Sequence, residues 1–562
     1  MVSLSIFVIQ MNIPIKPNCI LKVSIVLLIF FTTLNKSFAQ SSPSSVAYVT
    51  VNEGKLQGRI ENDVFVFKGV PYAAPPIGPL RWKAPQPLVH WSGIRKATDF
   101  SARPVQKSGI LYEFRSETMS EDCLYLNIWS TAKRDDKPHP VYVFIHGGSF
   151  IHGDGSQPAY DGESMAKKGI IYISINYRLG VFGFLAHPDL GKENQFGASG
   201  NYGLLDQVAA LKWIKENISA FGGDPKHITI GGESVGAQSI SAHMASPLSK
   251  GLFSAAIAQS SSLLDSRRLI RSKQASEKLG TDFALFTKST SIEEMRSIDE
   301  KTLLKLASKG DPRRFKPTVD GYFLPKFPTE VFEAGEQAKV PLLVGWNADE
   351  VPSLAFYRLK RATPENFYKR VRKIYGEDAA EVLKYYPVKT KKEAKIAGAK
   401  VGSDWLINFG TWRLAELHAK SSAPVYRYLF DQPHPGLTPK TIKDGNVFQV
   451  LLKKMINRAI TGSAFHAAEI EYALGNLEVQ KNYAWKPADY QVSEQMQAYF
   501  SNFIHNSNPN IGSNKVMLVN WPQQTAGAKQ EYLRIGLPSK VEIERDTTRD
   551  RFLLLQRIKF AE

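Results

Sequence analysis

Near-continuous apolar runs closed by turn residues mark buried strands at Pro140 to Ile145 and at Ile171 to Asn176. Shorter runs predict further strands at Ala47 to Val51, Val64 to Phe67, Ile228 to Ile230 and Val340 to Gly345. Between them, Leu204 to Ile218 carries apolar residues at helical spacing, and a second helix opens at Ser234-Val235-Gly236-Ala237, with small residues to meet a sheet. Strand–helix alternation of this kind predicts an α/β fold with a large, mostly parallel central sheet and helices on both faces. From about Ile270 to Pro424 the alternation breaks, and the chain reads as a helical insertion over one edge of that sheet. No linker divides the chain into independent domains.

The first segment reads as a signal peptide spanning 1–39. Lys16 and Lys22 provide a positive start, Val23 to Leu34 an apolar run, and Ser37-Phe38-Ala39 small residues where a signal peptidase reads. The apolar run falls short of the ~20 residues a bilayer span needs, so no stable membrane insertion is expected. Met11 is an alternative start, and the mature chain, 40–562, begins at Gln40. The implied location is exported: periplasm or secreted. Cleavage removes three lysines and no acid, lowering the formal charge from +18 to +15.

Some of that charge is local. Arg358, Lys360, Arg361, Lys369, Arg370, Arg372 and Lys373 crowd a stretch where Phe367, Val371 and Tyr375 recur at helical spacing. This is the pattern of a wet helix face. No aromatic-interleaved basic motif is present, so nucleic acid is not an expected partner. After cleavage Cys123 is the only cysteine, which excludes an internal disulfide.

Gly232-Glu233-Ser234-Val235-Gly236 stands between a predicted strand and a predicted helix. A G-x-S-x-G motif in that context is a nucleophile elbow: the turn is strained, another backbone passes close by, and the serine hydroxyl is left exposed above the sheet edge. An acyl-transfer serine also needs a base, a group to orient the base and donors for the developing oxyanion. His146-Gly147-Gly148-Ser149-Phe150, directly after the 140–145 strand, is an H-G-G-x loop whose amides can face such a site. The amide of Val235, the residue after the serine, would be a further donor. Gly345-Trp346-Asn347-Ala348-Asp349-Glu350 follows a strand and ends in two carboxylates. Gly462-Ser463-Ala464-Phe465-His466 offers a base. The order Ser234, Glu350, His466 is the order of an α/β-hydrolase triad.

Further motifs stand at Phe67-Lys68-Gly69-Val70-Pro71-Tyr72-Ala73, Gly78-Pro79-Leu80-Arg81-Trp82, Glu121-Asp122-Cys123-Leu124-Tyr125-Leu126-Asn127, Asn176-Tyr177-Arg178-Leu179-Gly180, Gly200-Asn201-Tyr202-Gly203-Leu204-Leu205-Asp206-Gln207 and Phe221-Gly222-Gly223-Asp224-Pro225. With these the chain resembles the type-B carboxylesterase family, the cholinesterase-like α/β-hydrolases. The resemblance implies the α/β-hydrolase fold, with Ser234 as nucleophile, Glu350 (not Asp349) as triad acid and His466 as base. Gly148, Ser149 and Val235 would supply the oxyanion amides, with Glu233 and Ser260 just behind the reacting groups. Arg81 with Glu121, and Arg178 with Asp206, would be structural ion pairs.

The implied function is hydrolysis of small-molecule carboxylic esters through an acyl-enzyme. Two readings compete with it: a non-catalytic adhesion protein of the same fold, which would typically lack a triad member, and a true lipase, for which no amphipathic lid is evident. No H-E-x-x-H occurs, and His466 with Glu469 reads as a chance H-x-x-E, so neither metal nor cofactor is expected. Ser149 departs from the third glycine of many relatives, and Val351 and Ser261 stand at frequent glycine positions. The upstream cysteine that pairs with the Cys123 position is missing. The loop before Cys123 is short and lacks the choline-gripping tryptophan, which argues against choline esters. The disulfide-free pattern and the leader look like the bacterial, exported members.

Overall fold

A computed structural model describes residues 46–107, 113–131, 137–265, 269–512, 516–526 and 530–560. The signal-peptide reading of 1–39 lies outside the described residues.

Among these, thirteen strands form one sheet. Antiparallel pairs build its first edge from Val46–Val51, Gly54–Glu61, Val64–Pro71 and Tyr125–Thr131, with Ile94–Lys96 alongside. Parallel strands follow in the spatial order Ile171–Ile175, His139–Ile145, Gly223–Glu233, Ala255–Gln259, Leu342–Asn347, Val425–Phe430 and Glu531–Ile535. Lys540–Ile543 closes the other edge antiparallel. The parallel strands are buried along most of their length, as a sheet covered on both faces requires. One apolar core packs the helices Tyr202–Asn217 and Val235–Ala245 against the sheet, and a second lies under Ile470–Leu474 and Pro487–Asn506.

The strand leading to Ser234 is longer than the run 228–230 suggested, because Gly223 to His227 and Gly231 to Glu233 also belong to it. Gly231 is glycine for a packing reason: a Cβ there would lie 2.2 Å from the Tyr142 hydroxyl on the neighbouring strand.

The segment 270–424 is not one insertion. The central strand Leu342–Asn347 runs through it and separates two helical blocks. The second block, from Ser353–Phe356 to Phe409–His418, has its own apolar core around Phe356, Phe367, Val371 and Trp412. Helix Pro364–Tyr375 buries Phe367, Val371 and Tyr375 and leaves Lys369 and Arg372 in water.

Register brings four strand ends to one edge. Ile145 is level with Gly232, Glu233 with Gln259, and Gln259 with Gly345. The loops that leave these strands therefore start side by side, and they carry the glycine loop, Ser234, Ser260 and Glu350.

Candidate active site

Ser234 has φ 58° and ψ −120°, a conformation costly for a residue with a Cβ. Its surroundings hold it there. The Ser234 N–H donates to Gln259 O at 2.9 Å, and the Gln238 N–H closes onto Ser234 O at 3.0 Å as the helix begins. Both flanking glycines are sterically required: a Cβ on Gly232 would lie 2.6 Å from Ile145 O, and one on Gly236 only 2.1 Å from the same oxygen.

The acid and the base arrive from distant parts of the chain. Asp349 pairs with Phe465 as a short parallel bridge, and its N–H donates to Ala464 O at 3.0 Å. That bridge docks the segment ending in His466 against the loop ending in Glu350. Glu350 Oε1 accepts the Asn347 N–H at 2.7 Å, which turns its other oxygen toward the imidazole. Glu350 Oε2 then meets His466 Nδ1 at 2.6 Å, and His466 Nε2 meets Ser234 Oγ at 3.0 Å. Glu350, and not Asp349, is the carboxylate that reaches the ring. With Nδ1 as the donor to Glu350, Nε2 is the acceptor for the serine hydroxyl; the tautomer follows from the hydrogen bonds.

The loop after Ile145 lies directly against the serine. Gly148, Ser149 and Phe150 all have positive φ, and a Cβ on Gly148 would come within 2.1 Å of His152 O. A Cβ on Gly147 would lie 3.3 Å from Ser234 Cβ, which measures how closely the two backbones approach. His146 belongs to the support of this loop: its ring stacks on Tyr177, its Nδ1 lies 2.8 Å from Gly147 O, and burial pulls its pKa down to about 4. Val235 is the first residue of its helix, so its N–H has no partner within that helix.

Two further carboxylates lie under the triad, and a third, Glu471, acts on one of them, Glu233, through its charge. Glu233 is 3 % exposed, and its Oε1 stands 3.2 Å from His466 Nε2 without hydrogen-bond geometry. Burial, reinforced by the charge of Glu350, pushes its pKa well above the ordinary range. Glu469 accepts from Asn347 Nδ2 at 2.5 Å, Gln259 Nε2 at 3.3 Å and Ser260 Oγ at 3.4 Å. Burial first, then the charges of Glu233 and Glu350, push its pKa up to about 8. Glu471 is raised to about 7, again by burial.

Glu469 is therefore no chance neighbour of His466: it is fully buried beneath the site, tied to the strand ends that carry Ser260 and Asn347. Asn347 and Gln259 were likewise not singled out in the sequence, though both occupy the last position of a strand that feeds the site. Among the described residues, no cluster of His, Cys, Asp and Glu could hold a metal ion.

The two ion pairs stand away from the reacting groups and fasten the scaffold. Arg178 donates through Nε and Nη2 to Asp206 at 2.8 and 2.7 Å, both buried. Arg81 Nε donates to Glu121 Oε2 at 2.7 Å, with Nη2 on Oε1, and Nη1 reaches the carbonyls of Arg296 and Ile298 at 2.8 and 2.6 Å. Cys123 is buried and free.

A cavity of about 570 Å³ opens from Ser234 and His466. Ser149, Phe150 and Val235 line it near the serine, and Val351, Phe356 and Leu406 line its wall. Leu406 lies in the π-helical turn Asp404–Asn408, which presents Trp405, Leu406 and Ile407 to the cavity. No helix among the described residues is long and apolar enough to cross a membrane.

The model of the Carboxylesterase family matches residues 45–553. The chain is 37 % identical over 393 residues to the fumonisin B1 esterase of Sphingopyxis macrogoltabida, covering 70 % of this chain and 72 % of that one. It is 34 % identical to the para-nitrobenzyl esterase of Bacillus subtilis (strain 168), covering 89 % of this chain and 96 % of the relative. Among solved structures, the Geobacillus stearothermophilus carboxylesterase EST55 aligns with a TM-score of 0.73 and 31 % identity, over 91 % of this chain and all of that one.

Proposed function

Since this chain belongs to the carboxylesterase family and hydrolyses carboxylic esters, we propose that Ser234, His466 and Glu350 carry the reaction as nucleophile, general base and orienting acid. The observation that carries this reading is the continuous relay from Glu350 Oε2 through both ring nitrogens of His466 to Ser234 Oγ, at 2.6 and 3.0 Å.

His466 Nε2 takes the hydroxyl proton as Oγ attacks the ester carbonyl. The amides of Gly148, Ser149 and Val235 receive the oxyanion; losing one such donor typically costs about 3–4 kcal/mol of transition-state stabilisation. The imidazolium returns the proton to the leaving alcohol, and an acyl-enzyme remains on Ser234. Water then enters and attacks the acyl carbonyl as His466 takes a proton from it; the imidazolium returns that proton to Ser234 Oγ as the Oγ–acyl bond breaks and the acid is released. Glu350 keeps the ring in the working tautomer and stabilises its transient charge.

Replacing Ser234 by Ala lowers turnover at least ~10⁴-fold while the fold is kept. An organophosphate labels the native chain once, at Ser234, and does not label the variant. Near-normal turnover by Ser234→Ala overturns the assignment.

The proposed place of action is outside the cytoplasm, periplasmic or secreted. What supports it is the basic start, apolar run and Ser37-Phe38-Ala39 of the leader. N-terminal sequencing of the protein from its native host tests it, with Gln40 as the expected first residue.

A further inference from the structure

The wall of the active-site cavity is unusually cationic. Arg271, Arg313, Lys316, Arg358 and Arg370 line it, against two carboxylates, Asp311 and Glu350. Neither acid balances Arg370, although Asp311 offsets part of the charge of Arg271. Glu350 is committed to His466, and Asp311 to Arg313, whose Nε donates to it at 3.0 Å.

Among the described residues, Arg271, Arg358 and Arg370 have no carboxylate within ion-pair distance. Two of them are anchored through one nitrogen and keep others to donate. Arg271 Nη1 donates to Arg314 O at 2.5 Å, and Arg370 Nε donates to Phe356 O at 3.1 Å, with its guanidinium above the Phe356 ring. These are backbone tethers that aim a side chain; the charge of Arg370 is left without a compensating acid, while Asp311 partly offsets that of Arg271.

The arrangement has a cost. Arg370 is held below its ordinary pKa by burial and then by the charge of Arg358, so two like charges share one lip of the cavity. An anion between these groups relieves both the desolvation and the repulsion. An arginine fork matches a carboxylate in two parallel hydrogen bonds.

We propose that the ester this site is built for carries a free carboxylate, bound at the cavity mouth by Arg358 and Arg370. The proposal rests on the esterase reading above and narrows its substrate class to anionic esters. The rest of the wall, with Phe150, Phe356 and Leu406, accepts the apolar part of the molecule, so the charge is recognised apart from the scissile bond. The whole-chain excess of positive charge adds long-range attraction for the same substrates.

The test uses matched ester pairs on the full mature chain. In one arm the carboxylate is on the acid side: 4-nitrophenyl hydrogen adipate against 4-nitrophenyl heptanoate. In the other it is on the alcohol side: 4-acetoxybenzoate against 4-tolyl acetate. At low ionic strength kcat/KM favours the anionic ester at least tenfold in one arm, which also identifies the side. The preference shrinks as salt is raised.

Arg358→Gln and Arg370→Gln each lower the anionic-to-neutral ratio severalfold, chiefly through KM, and Arg370→Lys restores part of it. Lys212→Gln, on a helix remote from the cavity, leaves the ratio as it was. Equal or better turnover of both neutral esters, with Ser234 still labelled by an organophosphate, overturns the proposal and leaves the esterase standing. No turnover of any ester and no labelling overturns the esterase reading, and this proposal with it.

Discussion

Glu233 Oε1 stands 3.2 Å from His466 Nε2, beside the ring nitrogen that meets Ser234 Oγ at 3.0 Å. The two neighbours of that nitrogen differ in kind. The serine is a neutral hydroxyl at hydrogen-bond distance, whereas the carboxyl is a group that can carry charge, raised in pKa by burial and by Glu350. In the proposed reaction a positive charge on His466 would favour ionised Glu233 at that distance, in addition to Glu350 on the other side of the ring.

Glu233→Gln keeps the shape and removes the charge. Its kcat/KM falls by about tenfold, or about 1.4 kcal/mol. The deficit widens as pH rises, because alkaline conditions ionise Glu233 in the native enzyme and have no counterpart in the variant. The pH–rate profiles of both proteins between pH 6 and 9 check this; superimposable profiles would remove Glu233 from any part in the reaction.

What could be read in the residues follows from how local each constraint is. The elbow was legible because Gly232 and Gly236 are dictated by one oxygen, Ile145 O, so the motif states its own geometry. The order Ser234, Glu350, His466 came from chain order and resemblance, since the bridge that brings Phe465 to Asp349 joins segments more than a hundred residues apart. Glu469 was passed over because H-x-x-E was weighed as a metal motif. Its role is set by Ser260, Gln259 and Asn347, contacts no spacing reveals. The cavity wall was not legible: Arg271, Phe356, Arg370 and Leu406 come from four separate elements. The basic residues from Arg358 to Lys373 looked like an ordinary wet face, and for Lys369 and Arg372 that is what they are.

Glu469 makes the stability of the fold depend on pH in a direction opposite to a surface ion pair. Its pKa rises from 4.5 in the unfolded chain to about 8 in the folded one. Between those values the native state binds the extra proton, so this contribution is full below about pH 4.5 and is lost as pH rises through about 8. Glu471, raised to about 7, acts in the same sense. Glu469→Gln is neutral throughout, and its amide can still accept from Asn347. Thermal unfolding at pH 5 and pH 9 checks the point: the native protein loses more Tm over that interval than the variant does. Parallel losses would mean that Glu469 is ionised in the fold at neutral pH.

The elbow itself yields the sharpest structural prediction. Ser234 already occupies a strained conformation, and Gly236, two residues on, carries the helix past Ile145. Ile145 cannot retreat, because it is paired to Ile175 on one side and Gly232 on the other. A methyl on residue 236 must therefore push the first turn of the helix outward, taking the Val235 amide with it. Gly236→Ala destabilises the fold by about 3 kcal/mol or more, at the upper end of overpacking costs. The displaced amide also lowers kcat, beyond what stability alone accounts for. Gly251→Ala is the matched control: φ there is +74°, but nothing lies within 4 Å of the added carbon, so only the ~1–2 kcal/mol of left-handed backbone strain is lost. Denaturant unfolding of both variants, with kcat measured under native conditions, separates the effects. If Gly236→Ala proves as mild as Gly251→Ala, the close approach of helix to strand does not hold the serine in place.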